Sequence, residues 1–204
     1  MLLNHRPALA ALGDAVNAAP YKAPPQAPVL YLKPRNTQVT AGAAVEVPAG
    51  VPALEVGAAL GLVIGRSTCR VAEADALAHV AGLLVVADLS VPHDSFYRPS
   101  VRLKARDGFC PLGSVVPLDG QAVDALAVSV AVDGAVVHRA DTGERVRSAA
   151  RLLADVSSFM TLAPGDVLML GVSHGAPRVA AGRAVTVAID GVGSLGFTLN
   201  AEAA

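Results

Sequence analysis

From Val29 onward, short apolar runs alternate with turn signals such as Gly, Pro, Asp and Asn. Runs of that length build strands and leave little room for long helices. The sharpest instance is Asp133-Gly134, which stands between two alternating, β-branched stretches. Both turn residues adopt positive φ readily, so the dipeptide predicts a tight hairpin joining strands at 125–132 and 135–139. The same reading predicts strands at 29–33, 43–47, 59–64, 83–88, 114–117, 166–170 and 184–189. Two stretches have helical spacing instead: 73–80, rich in Ala, and 147–160, where Leu152, Val156 and Phe159 share a face. The fold class is therefore mainly β (α+β), with two short helices, and not the strand-helix alternation of a doubly wound sheet. The stiff Pro20-to-Pro28 stretch cannot be helical, so the chain divides into residues 1–28, an N-terminal strand and Pro-rich connection, and a main domain over 29–204.

Composition narrows what such a domain can do. Of 204 residues, 53% are hydrophobic and only 16% charged, which excludes a disordered chain. Sixteen basic against seventeen acidic residues leave a net charge of -1, with no electrostatic footprint for nucleic acid or an anionic membrane surface. Every apolar run is broken before it reaches a membrane span, and Met1 to Pro7 has no leader pattern, so a cytoplasmic location is expected. So few charges leave apolar surface to be covered by another subunit. Cys69 and Cys110 form neither a metal pattern nor a disulfide framework and read as reduced thiols.

Polar side chains crowd four places: Leu3-Asn4-His5-Arg6, Lys33-Pro34-Arg35-Asn36-Thr37, Asp88 to Arg98, and Lys104 to Gly113. Each falls at the end of a predicted strand, where a rigid scaffold carries functional groups. The third segment gathers Asp88, His93, Asp94 and Arg98 in one loop. A solvated loop with local turn hydrogen bonds accounts for it equally well on these residues alone.

The order of the segments carries a resemblance. Lys33-Pro34-Arg35-Asn36-Thr37, Leu60-Gly61-Leu62-Val63-Ile64-Gly65, Val85-Val86-Ala87-Asp88-Leu89-Ser90, Asp107-Gly108-Phe109-Cys110-Pro111 and Ala163-Pro164-Gly165-Asp166 together resemble the fumarylacetoacetate hydrolase family over nearly the whole chain. Pro20-Tyr21-Lys22-Ala23-Pro24-Pro25 and Ser95-Phe96-Tyr97-Arg98-Pro99 are similar to the N-terminal half, or separate N-terminal subunit, of a bifunctional isomerase/decarboxylase subgroup of aromatic catabolism. The resemblance implies a fumarylacetoacetate-hydrolase-like mixed β-sandwich or roll. It also implies metal-assisted chemistry on a small dicarboxylic or tricarboxylic oxo acid; in the subgroup this is 5-oxopent-3-ene-1,2,5-tricarboxylate, decarboxylated and then isomerised. Loss of carbon dioxide beside a carbonyl leaves an enolate, whose charge a divalent cation stabilises.

The sequence departs from the family's pattern at its metal ligands. Aligning Leu60 to Gly65 puts Gly57 and Ala59 where the family has Glu-x-Glu, and only Asp88 of the three carboxylates remains. One carboxylate cannot hold Mg²⁺ tightly, and Glu55 is displaced by two residues. The expectation is no tightly bound cofactor in this chain, with Mg²⁺ or another divalent cation in a homologous, metal-bearing partner. Ala8 and Ala11 stand at the family's lid His and Glu, and Gly171-Val172-Ser173 replaces its Gly-Thr-Pro. By the same resemblance Lys104 matches the active-site lysine and Asp107 an adjacent Asp, which with His5 make the catalytic candidates. Lys33, Asp88, His93 and Arg98 are the substrate-binding candidates.

The resulting expectation is one subunit of a decarboxylase/isomerase, assembled with a homologous metal-bearing subunit or as a homodimer. A non-catalytic interaction subunit or small-acid binding protein is the alternative. A stand-alone acylpyruvate-type hydrolase accords least with the absent carboxylates.

Overall fold

A computed structural model describes residues 3–94 and 101–203. Along the chain run α1 (Arg6–Ala10), β1 (Gln38–Thr40), β2 (Ala44–Val47), β3 (Leu54–Ile64), β4 (Val80–Ser90), α2 (Val101–Lys104), β5 (Cys110–Leu112) and β6 (Val116–Pro117). They are followed by β7 (Ala127–Val132), β8 (Ala135–Asp141), α3 (Ala149–Ser157), β9 (Val167–Met169), β10 (Arg178–Val179), β11 (Arg183–Ile189) and β12 (Gly193–Ala201). The strands form two sheets. One follows the order β1-β5-β4-β3-β10, with β6 added to β4 and β9 to β3; the other follows β2-β12-β11-β7-β8.

The main core lies where alternating residues of both sheets meet. Val56, Ala58, Leu60 and Leu62 of β3, and Leu83, Val85, Ala87 and Leu89 of β4, join Val128, Val130, Val185, Val187, Leu195, Phe197 and Leu199 of the second sheet. Because side chains alternate across a strand, the intervening residues Gly57, Ala59, Leu84, Val86 and Asp88 must face away from that core. Ala59, Leu84, Val86 and Cys110 form a smaller cluster there, against Leu112, Val167, Met169 and Val172. Simple alternation thus places Asp88, a charged residue, on a buried second face.

The Asp133-Gly134 hairpin joins β7 to β8 as predicted, with φ of 49° and 83° at the two turn residues. Other expectations need correction. The N-terminal strand is instead helix, Arg6–Ala10, begun by a proline in its first turn, followed by a 3-10 segment, Gly13–Asn17. Residues 30–33 are irregular and belong to no strand, because Tyr31 and Lys33 send their polar groups to Asp88 and its surroundings. The helix predicted at 73–80 is a 3-10 segment, Glu73–His79, and that at 147–160 is confined to Ala149–Ser157, capped by the Ser148 hydroxyl accepting from Arg151 N–H. Leu152 and Val156 are buried as expected, but Phe159 lies beyond the helix and is exposed. Among the described residues no helix is long and apolar enough to cross a membrane.

Candidate active site

β3 and β4 pair antiparallel with Gly57 directly opposite Asp88 and Ala59 opposite Val86. Opposed residues present their side chains on one face about 5 Å apart, so position 57 is the nearest neighbour Asp88 could have across the sheet. Glycine leaves that place without a donor. Val172 fills it: a Cβ built on Gly57 would lie 2.6 Å from Val172 Cγ1 and 3.0 Å from the Asp88 carbonyl oxygen.

The Asp88 carboxylate is only 2% exposed and has three partners from three segments. Lys33 Nζ lies 2.8 Å from Oδ1, Lys104 Nζ lies 3.6 Å from Oδ2, and the Tyr31 hydroxyl donates to Oδ2. Burial alone pushes this carboxyl up. The charges of Lys33 and Lys104 and the hydrogen bond from Tyr31 more than offset burial, and hold it below the ordinary carboxylate value. Tyr31 moves the opposite way. Burial and then the Asp88 charge raise its phenol well above its usual value, so it remains a hydrogen-bond donor.

The two lysines differ in what else they touch. Lys33 Nζ donates to three carbonyl oxygens, of Leu89 at 2.8 Å, Lys104 at 2.7 Å and Phe109 at 2.9 Å. With its three protons so engaged, Lys33 ties the end of β4 to α2 and to the start of β5. That geometry is the geometry of an internal brace. Lys104 sits over the Tyr31 ring, 5.0 Å from its centroid, and its ammonium has no hydrogen-bond acceptor among the described residues other than the distant Asp88 oxygen. Two ammonium groups against one carboxylate leave the cluster with a surplus positive charge.

The remaining candidates are dispersed. Asp107 is exposed and its Oδ1 accepts from Asn36 Nδ2 at 2.6 Å, which fixes the turn leading into β5. His93 turns back on its own loop, with Nδ1 3.1 Å from the Val91 carbonyl oxygen and 3.4 Å from Ser90 Oγ. Arg98 lies outside the described residues. His5 is buried, with Nε2 3.0 Å from Glu144 Oε2 and Nδ1 accepting the His174 main-chain N–H at 3.1 Å. Sequence reasoning did not single out Tyr31, although a tyrosine two places before Lys33 in an extended segment falls on the same side of the chain. His138, 2.7 Å from Ser173 Oγ through Nε2, was also missed.

The donors do not fit a divalent cation. Among the described residues no three of His, Cys, Asp and Glu come together, Asp88 is already shared by Tyr31, Lys33 and Lys104, and Val172 stands where a second carboxylate would project. A separate cleft of about 500 Å³ adjoins the site, walled by Tyr31, Lys33, Cys110, Leu112 and Met169. Burial there pushes the Cys110 thiol up to about 12, so it stays protonated and unreactive at neutral pH.

Residues 1–200 match the model of the fumarylacetoacetate (FAA) hydrolase C-terminal family. The chain is 39% identical over 189 residues to the 4-hydroxyphenylacetate degradation bifunctional isomerase/decarboxylase of Escherichia coli, a match that covers 93% of this chain and 43% of that one. It therefore spans about half the length of this relative. The fold superimposes on 5-carboxymethyl-2-hydroxymuconate delta-isomerase from Mycobacterium smegmatis with a TM-score of 0.80 at 28% identity, covering 88% of this chain and 72% of that one. The fumarylpyruvate hydrolase of Pseudomonas aeruginosa, solved with Mn²⁺ and pyruvate, gives 0.75 at 27% identity, covering 84% and 78%. By sequence over nearly its full length, and by the two-sheet fold that carries Asp88, Lys33 and Lys104, the chain belongs to the fumarylacetoacetate hydrolase family.

Proposed function

We propose that the chain is one subunit of an isomerase/decarboxylase acting on a small unsaturated oxo acid of aromatic catabolism, with 5-oxopent-3-ene-1,2,5-tricarboxylate and its decarboxylation product as substrates, and with its own metal site lost. The carrying observation is the Asp88 frame: Tyr31, Lys33 and Lys104 are in place around it, while Gly57 and Ala59 supply no carboxylate. The likeness to half of a bifunctional relative supports the pairing with a homologous subunit that keeps the metal ligands.

Decarboxylation beside a carbonyl develops enolate charge. The described residues offer no donor set for a cation, so that stabilisation falls to the homologous subunit. What this chain contributes is the surplus positive charge of the buried lysine pair, which suits an anionic oxo acid, and the Lys104 ammonium as a group able to hold or donate a proton. In this reading Lys104 is the catalytic residue and Asp88 orients it. Lys33 and Asp107 act as structural supports for the β4–α2–β5 connection.

Metal analysis of the purified chain, alone and mixed with a metal-bearing homologue, tests the reading alongside an absorbance assay for loss of the unsaturated tricarboxylate. Turnover is expected in the mixture alone, with the metal in the homologue. Lys104→Met is expected to lower that turnover by about 100-fold, the low end of general acid catalysis, with assembly by size exclusion unchanged. Stoichiometric metal and turnover in the chain alone, or an unchanged rate with Lys104→Met, overturns it.

A further inference from the structure

Residues 171–175 have Asp88 on one side and a group of imidazoles on the other. Toward the sheet, Val172 packs over Gly57, opposite Asp88. Away from it, the next two residues are gripped by separate elements: the His174 N–H donates to His5 Nδ1 at 3.1 Å, and Ser173 Oγ lies 2.7 Å from His138 Nε2 on β8. Gly171 and Gly175 bound the segment with φ of 103° and 76°, conformations that other residues rarely adopt. The segment is thus a short flap with a permissive residue at each end.

The hydrogen bonds fix the protonation of His5. Accepting at Nδ1 requires a bare nitrogen there, so its single proton sits on Nε2 and is donated to Glu144 Oε2. A second proton on Nδ1 would set N–H against N–H and remove the acceptor that holds His174. We infer that His5 is a positioning residue for the Asp88 site: through His174, and with His138 holding Ser173, it seats Val172 over Gly57, and doubly protonated His5 releases that cover.

The charged groups around the flap have mixed effects. Burial holds His5 below the ordinary imidazole value; Glu144 opposes this by charge and hydrogen bond, while His174 and Arg6 of α1 reinforce it. Burial likewise lowers His138, with His5 and His174 adding to the effect. Arg145, which bridges to His5 through its main chain, has its guanidinium paired with Asp124, and Asp141 Oδ1 is taken by the Gly143 N–H. With the seated-state value lowered from 6.5, protons bind preferentially when the flap is released. The seated flap is therefore favoured above that value and loses ground as pH falls below it.

Amide hydrogen exchange of residues 170–176 at about pH 7.5 and pH 5.5, corrected for intrinsic exchange, tests the inference. Protection of the His174 amide is expected to fall about tenfold at the lower pH, the factor that a single net hydrogen bond commands. His5→Asn keeps an acceptor near the Nδ1 position and does not titrate, so protection should persist with the pH step abolished. The Val172 methyl resonances should shift with the same midpoint as the His174 amide. Equal protection of the wild type at both pH values, an unchanged pH step in His5→Asn, or Val172 methyls that stay fixed while His174 opens each overturns the proposal. None of these readouts depends on turnover, so failure of the flap and failure of the proposed reaction are separately visible.

Discussion

Replacing Lys33 by Met removes an ammonium whose side chain is 4% exposed and whose protons reach the carbonyl oxygens of Leu89, Lys104 and Phe109. Met has similar length and apolar bulk, so packing changes little and the loss is electrostatic. Removing one partner of a buried ion pair costs about 3–5 kcal/mol. Leaving three carbonyls without a donor adds to this, by about 1 kcal/mol for each one that water cannot reach. Lys104 stays 3.6 Å from Asp88 and offsets part of this cost, so a loss of about 4 kcal/mol is expected. For a chain of this size each kcal/mol moves the midpoint by about 2–4 °C, so thermal unfolding should come about 8–16 °C earlier. The chain has no tryptophan, so unfolding is best followed by far-ultraviolet circular dichroism in urea and on heating. The double variant with Asp88→Asn separates the ion pair from the carbonyl brace. Because the uncompensated carboxylate is then gone, its cost should fall well short of the sum of the single changes. A Lys33→Met loss below about 1 kcal/mol, or strict additivity in the double variant, refutes the assignment of Lys33 as a brace.

Gly57→Glu alone should lower stability without adding affinity for Mn²⁺, because Val172 Cγ1 lies 2.6 Å from its Cβ position. Combining it with Ala59→Glu and Val172→Ala should produce calorimetric Mn²⁺ binding; tight binding by the single variant counts against the Val172 cover. Asp88 has its folded-state value lowered from 3.8, so its contribution to stability is present above that pH and is lost as pH falls below it toward the folded value. Urea midpoints across the acid limb should therefore drop more steeply for the wild type than for Asp88→Asn, and matching slopes contradict the ion-pair description.

The β core was legible because its signals are local. Asp133-Gly134 sets a hairpin by its own φ preference, and the long apolar alternation of β3 and β4 identifies both faces of their pair. β12 was missed although Leu195, Phe197 and Leu199 alternate inward, because Gly193 and Gly196 dilute the β-branched content that marks a strand. β5 was missed because it is three residues long and contains Pro111. The N-terminal helix had a readable cue in Arg6-Pro7. In the site, Asp88 and Lys104 both followed from resemblance, Asp88 as the one family carboxylate that remains. The surroundings of His5 could not be read, since Glu144 and His174 lie 139 and 169 residues away along the chain. No local pattern encodes such a meeting.

The handover between β1 and β2 has a consequence for how the chain reaches this state. β1 pairs parallel with β5 in one sheet, and four residues later β2 pairs parallel with β12 in the other, with the Gly42 N–H already donating to Gly196. The partner of β2 is thus β12, the last strand among the described residues. During synthesis β2 waits with its backbone groups unpaired until residues 193–201 have emerged, a non-local closure of the kind that slows folding and leaves strand edges open to aggregation. The Glu46 and Glu202 carboxylates at that seam keep charge on the waiting strand and on its eventual partner's end, a modest protection against premature pairing with other chains.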